Sequence, residues 1–293
     1  MADISKYSRI RRRYKVLGFF RMLRIPNLIM IAFAQVLVSI YLLDFAWWQN
    51  ENDVFRLFLL ILASGFSAAG GYVINDYYDV KIDILNKPKR VVVGRYISRR
   101  KAMFLHLGFI GLSLIVSYFL GKKIFFIVGF CSSWLWFYSN SLKRLPLIGN
   151  ISISILTSIS LYMPAVLFPP PNEALLLICL FAFWISLIRE IAKDMEDTKG
   201  DARHGCKTIP ILWGIRKTKN LIYCIGGLFF STFIVATYWM PNLWIISAML
   251  LSIPLGYLFY ELQKADTATA FGRISSICKW IMLGGMATIF LIR

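Results

Sequence analysis

The sequence predicts an all-α, polytopic membrane protein, and three observations carry that fold class. Of its 293 residues 58% are hydrophobic, and the mean hydropathy is +0.64. The apolar residues fall in runs of about 20, the length a helix needs to cross a bilayer. Charge acts as punctuation between those runs: 33 Lys and Arg against 15 Asp and Glu give a formal net charge of +18. A soluble domain of this length does not need so much apolar surface.

Residues 1–16 form a polar, basic arm with no small-residue cleavage site after an apolar core. The arm is expected to stay on the cytoplasmic face, against anionic lipid headgroups. Nine apolar runs follow, at about 17–43, 54–78, 101–120, 123–141, 148–168, 174–192, 218–238, 242–262 and 273–292. Turn residues or charges separate them, as at Asp44 to Asp53, Gly121-Lys122-Lys123, Lys143 to Pro146, Pro169 to Asn172 and Pro241-Asn242. Two longer hydrophilic stretches, 79–100 and 193–217, read as cytoplasmic cap loops of one domain spanning 1–293. Four helices separate the two stretches, which suggests a weak internal duplication.

Following the alternation of nine spans, 28 of the 33 basic residues fall on one side. The positive-inside rule then puts the N-terminus in the cytoplasm and the C-terminus across the membrane. Cys131, Cys179, Cys206, Cys224 and Cys278 never form a C-x-x-C pair, and four of them lie in apolar runs. Neither a disulfide nor a zinc site is expected.

Eight of the fifteen acidic residues fall in two short windows. The first places Asn75, Asp79 and Asp83 at i, i+4 and i+8, one face of a continuing helix. The second places Glu190, Asp194, Asp197 and Asp201 at i, i+4, i+7 and i+11, again one stripe. Like charges so spaced repel, and desolvation at the membrane edge adds to the cost. A cation should offset both. Mg2+ suits carboxylate oxygens and shares its shell with phosphate. The neighbouring Lys81, Lys87, Lys89, Arg90, Lys143, Arg144, Lys193 and Lys207 suit an anion bridged by such a metal. Ordinary solvated helix ends are the competing reading.

These windows resemble the UbiA superfamily of intramembrane prenyltransferases. Asn75, Asp79 and Asp83 fit its N-x-x-x-D-x-x-x-D motif, and Asp197 and Asp201 fit its D-x-x-x-D motif. Gly205-Cys206-Lys207-Thr208 is similar to the family's G-x-K-[ST], and Tyr138-Ser139-Asn140-Ser141-Leu142-Lys143-Arg144 to its Y-S-x-x-L-K-R segment. The phrase from Arg189 to Asp201 looks most like the digeranylgeranylglyceryl phosphate synthase branch. One departure follows Asn86-Lys87-Pro88-Lys89-Arg90: the family usually continues Pro-Leu-Pro-Ser-Gly, and this chain has Val91-Val92-Val93-Gly94.

The resemblance implies a nine-helix bundle in the cell membrane, with its active site facing the cytoplasm. It implies Mg2+-dependent transfer of a prenyl group, geranylgeranyl in this branch, from its diphosphate to a lipophilic acceptor. In this branch the acceptor is geranylgeranylglyceryl phosphate and the product an ether lipid. Asn75, Asp79, Asp83, Asp197 and Asp201 would serve the metal. Asn75, Arg90, Lys143 and Lys193 would bind the diphosphate, and Tyr138 would face the allylic cation. Asp194 is a candidate base, or with Glu190 a supporting partner.

Duller roles stand beside these. Lys143 and Arg144 also enforce topology, and Tyr138 is a common interfacial anchor. Asp76, off the motif face, would meet solvent or a loose cation. Gly65, Ala68, Ala69, Gly70 and Gly71 would let helices approach closely, while Phe125, Phe126, Trp134, Trp136 and Phe137 would line a prenyl tunnel or pack a core. Membrane lipids are expected partners, and nucleic acid is not. An aromatic-acceptor prenyltransferase and an ion-coupled transporter are the alternatives. A CDP-alcohol phosphotransferase is excluded, because no D-G-x-x-A-R string occurs.

Overall fold

The computed structural model describes residues 16–43, 51–168, 173–239 and 241–291. The basic arm up to residue 15 and the separators 44–50 and 169–172 lie outside the described residues. Every expected apolar run lies on a helix: α1 (described over 16–22), α2 (Ile25–Leu42), α3 (Glu51–Asn86), α4 (Arg99–Phe119), α5 (Lys122–Asn140), α6 (Ile148–Leu167), α7 (Glu173–Arg203), α8 (Ile209–Trp239), α9 (Pro241–Lys264) and α10 (Ala268–Thr288). Among the described residues, α2, α3, α4, α6, α7 and α8 are long and apolar enough to cross a membrane.

Three boundaries differ from expectation. The first run is two helices, broken at Arg24, whose φ of 50° lies in the left-handed region. The stretch 79–100 is helical as far as Asn86, and 193–217 is helical apart from 204–208 and a kink at Gly214 (φ 76°). Hydropathy marks only the apolar part of a helix, whereas residues such as Lys, Glu and Met continue one readily. The remaining non-helical stretch, 87–98, is anchored by Val92 and Val93, which are buried, and turned by Gly94 at φ 85°.

The described residues form two compact units: those up to Ala32 with Leu59–Asn140, and Phe33–Phe58 with Ser141–Arg293. In the first, Met22, Leu23, Ala69, Val73, Val92, Val93 and Ala102 make a small core. Polar groups link its helices: His106 Nδ1 lies 3.0 Å from the Gly70 carbonyl, Ser113 Oγ donates to the Ala63 carbonyl at 2.7 Å, and Ser67 and Ser132 hydroxyls meet at 2.8 Å. Of the expected close-approach positions, Gly70 and Gly71 are such sites: a Cβ there would stand 2.7 Å from Ile110 Cδ1 and 2.8 Å from Leu135 Cδ1. Gly65 is not, having nothing within 4 Å. Phe126 and Phe137 are 69% and 52% exposed, so they belong to no closed core.

The second unit is organised around α7. Its apolar face buries Ile185, Ile188, Ile191, Ala192 and Met195 in the core that also takes Phe229, Leu258, Phe271 and Ile274 from α8, α9 and α10. A Cβ at Gly226 would stand 2.1 Å from Phe259 Cζ. Gly226→Ala is therefore expected to cost about 1–3 kcal/mol by overpacking. Gly65→Ala, with open space around it, should be neutral or slightly stabilising. Thermal unfolding in detergent should show a lowered midpoint for the first substitution only.

Candidate functional site

Each unit presents one of the acidic windows. In the first, the window rides on the charged end of α3, where Asn75, Asp79 and Asp83 are each half-buried. Asn75 Nδ2 donates to Asp79 Oδ2 at 2.9 Å, so the i, i+4 alignment read from the sequence is realised. Since Asn75 donates through its amide nitrogen, its side-chain oxygen is the atom suited to accept or ligate. Asp76 does not simply meet solvent: Arg24 Nη2 pairs with its Oδ1 at 3.1 Å, and the same guanidinium lies 4.8 Å from the Tyr72 ring centroid. Arg24 was not anticipated. Its one sequence signal is a cation at the break in an apolar run.

Arg90 is exposed, closing a turn through its amide to the Lys87 carbonyl at 2.8 Å. That turn is tied down by Arg21, whose Nη1 donates to the Lys89 carbonyl at 3.2 Å. Arg99 covers the Tyr77 ring at 4.6 Å. Tyr138 is half-buried near the end of α5.

In the second unit the acidic window lies on α7. Glu190, with a side chain 6% exposed, is clasped by Arg189 through Nη1 and by Lys193 Nζ at 3.1 Å. Asn150 on α6 donates from Nδ2 to Asp194 Oδ2 at 2.8 Å. Asn150 lies outside the residues singled out from the sequence, and it is what orients Asp194. Asp197 is half-buried and Asp201 is buried, three turns along from Glu190. The Asp201 carbonyl also accepts the Cys206 amide at 3.0 Å, just past the end of the helix.

Lys143 sits in a single 3-10 turn, Leu142–Arg144, and is half-buried, whereas Arg144 is exposed. The turn is clamped from two sides. The Lys207 amide donates to the Arg144 carbonyl at 2.8 Å, joining the 204–208 connection to it. A Cβ at Gly149 would stand 2.8 Å from Lys143 Cα and 3.0 Å from the Leu142 carbonyl oxygen. Only glycine lets the start of α6 approach that backbone.

No group of three or more His, Cys, Asp or Glu side chains among the described residues is placed to hold a metal by itself. Mg2+ does not require one, because it commonly takes one or two carboxylates and completes its octahedron with water and substrate phosphate. Asn75 with Asp79 and Asp83, and Asp197 with Asp201, offer hard oxygen donors of that kind. The donor set therefore fits magnesium rather than a thiolate- or imidazole-seeking metal.

Residues 36–277 match the UbiA prenyltransferase family, across both units. A digeranylgeranylglyceryl phosphate synthase of Saccharolobus solfataricus is 33% identical over 203 residues, covering 69% of this chain and 70% of its own. A solved structure from work on digeranylgeranylglyceryl phosphate synthase in membranes superposes with a TM-score of 0.72 at 23% identity, covering 94% of this chain and 97% of that one. A UbiA homolog from Archaeoglobus fulgidus, solved bound to DMAPP and Mg2+, superposes with a TM-score of 0.70 at 18% identity, covering 93% and 99%. The all-helical fold, the apolar helices and the family match agree, and this chain is an integral membrane enzyme of the UbiA prenyltransferase family.

Proposed function

We propose that this chain transfers a geranylgeranyl group from its diphosphate to the free hydroxyl of geranylgeranylglyceryl phosphate. The allylic C–O bond breaks, diphosphate leaves, the acceptor oxygen forms the new ether bond, and its proton passes to a base. The observation that carries the reading is α7. Its window from Arg189 to Asp201 aligns a candidate base with two metal-binding carboxylates, in a chain whose relatives include synthases named for that product.

Mg2+, when bound, supplies the positive charge that stabilises the departing diphosphate in a water-poor site. Asp79 and Asp83 in the first unit, and Asp197 and Asp201 in the second, are the carboxylates offered as ligands, with Asn75 as a ligand and as the group that orients Asp79. Arg90, Lys143 and Lys193 bind diphosphate oxygens. Tyr138 offers an aromatic face to the allylic cation. Asp194, held by Asn150, accepts the proton of the acceptor hydroxyl. One domain, 1–293, with nine spans carries the activity. The N-terminus and the two cap regions, 79–100 and 193–217, face the cytoplasm. The donor diphosphate, the acceptor and the surrounding membrane lipids are its partners.

Labelled geranylgeranyl diphosphate offered with a glycerol phosphate ether, with an aromatic quinone precursor or with a tetrapyrrole tests the acceptor. Label should enter the glycerol phosphate ether, and transfer only to an aromatic acceptor would overturn that assignment. Chelating Mg2+ should abolish diphosphate release, and Asp79→Ala should lower it by at least about 100-fold. Unchanged release in Asp79→Ala would refute the metal assignment. Gly149→Ala should push back the Lys143 turn and cut turnover by about tenfold, with the protein still folded by thermal unfolding. Cysteine labelling of intact cells at position 94 should succeed only after permeabilisation, if the 79–100 cap is cytoplasmic.

A further inference from the structure

The pairing on α7 leaves two cations with donors to spare. Arg189 gives Nη1 to Glu190, yet its Nε is buried and has no hydrogen-bond partner among the described residues. Lys193 carries three N–H donors, of which Glu190 takes one at 3.1 Å. A guanidinium N–H shut away from water without an acceptor is unfavourable, and an oxyanion that meets it restores the lost bond. The two side chains are 17% and 29% exposed, so a ligand can reach them. Glu190, at 6%, lies beneath them and holds both.

Its position separates Arg189 from the donor's diphosphate. Arg189, Lys193 and Asp197 follow each other at i, i+4 and i+8, one line on the helix. Arg189 lies about 12 Å along the axis from Asp197. Helical side chains lean toward the N-terminus, which carries the guanidinium away from Asp197 rather than toward it. An anion held at Asp197 and Asp201 is therefore not the one Arg189 would meet. Lys193 stands between, one turn from each, and of its two remaining donors one serves the donor diphosphate and the other faces Arg189.

The acceptor of the proposed reaction brings an anion of its own, a phosphomonoester close to the hydroxyl that reacts. We propose that Arg189, with Lys193 beside it and Glu190 holding both, is the subsite for that phosphate. It sets the preference for a phosphorylated over an unphosphorylated glycerol ether. Planar guanidinium donors suit a phosphate's oxygens in pairs, which a lysine cannot reproduce. Glu190 alone pairs with both cations, which leaves the trio one positive charge for an anion to meet. With phosphate present, Nε and one spare Nζ donor close on it while Glu190 keeps its bonds. The assignment rests on the acceptor class proposed above.

The test is steady-state transfer by the full chain in nanodiscs, with geranylgeranyl diphosphate as donor. The acceptors are geranylgeranylglyceryl phosphate and the same ether without its phosphate. Arg189→Gln should raise KM for the phosphorylated acceptor at least about tenfold. KM for the donor and the rate with the unphosphorylated ether should stay within twofold. Arg189→Lys should recover part of the loss. An equal loss with both acceptors, as a purely structural role requires, overturns the proposal, and so does an unchanged KM for the phosphorylated one. On the unmodified protein, glycerol 3-phosphate should inhibit competitively against the acceptor and not against the donor. Competition against the donor overturns the proposal even if Arg189→Gln does not fold. A wild-type protein inactive on the phosphorylated acceptor overturns the acceptor class as well, whereas normal activity with an indifferent Arg189→Gln overturns only the subsite.

Discussion

A carboxylate at the point where an apolar helix leaves the lipid has lost much of its water and must be met by another donor or a cation. The arrangement of both units follows from that requirement. On α3, Asp79 is met by Asn75 and Asp76 by Arg24. On α7, Glu190 is met by Arg189 and Lys193, and Asp194 by Asn150. Each partnership lets the helix run on past its apolar stretch instead of unwinding. The charged stripe is thereby carried on a rigid element rather than a loop. The outer part of each stripe, Asp83 on one and Asp197 and Asp201 on the other, carries carboxylates proposed above for the metal.

Packing on the opposite face supplies the rigidity. Ile188, Ile191, Ala192 and Met195 are buried on the face of α7 that turns away from the charges. Fixing one face of a helix in a core fixes the direction of the other. In the first unit Val92 and Val93 do the same for the segment carrying Arg90, since they anchor the turn that follows it in a small core with Met22 and Val73. Gly149 brings the Lys143 turn against α6 by a backbone approach that any side chain would block.

The helices and the two stripes were legible because both are local. Apolar runs mark spans, and an i, i+4 spacing fixes a shared face whatever the rest of the chain does. The ends of α3 and α7 were misjudged as loops because hydropathy stops reporting where Asp and Lys begin. The partners were not legible, because they come from other helices. Arg24 and Asp76 are 52 positions apart, and Asn150 and Asp194 are 44 apart. Nothing in the sequence around Asp76 points to Arg24. The spare donor on Arg189 was also invisible, since it is defined by what the surrounding helices leave unmet.

The central proposal is that carboxylates on α3, such as Asp83, and on α7, such as Asp201, each serve Mg2+-dependent binding of a prenyl diphosphate. Titration calorimetry of a non-cleavable geranylgeranyl thiodiphosphate, with the full chain in nanodiscs, addresses it without depending on the acceptor. The account predicts that affinity falls at least about tenfold when Mg2+ is chelated. It also predicts that Asp83→Ala and Asp201→Ala each lose the Mg2+-dependent part of the binding. Equal affinity with and without Mg2+, or wild-type binding in both variants, would contradict it.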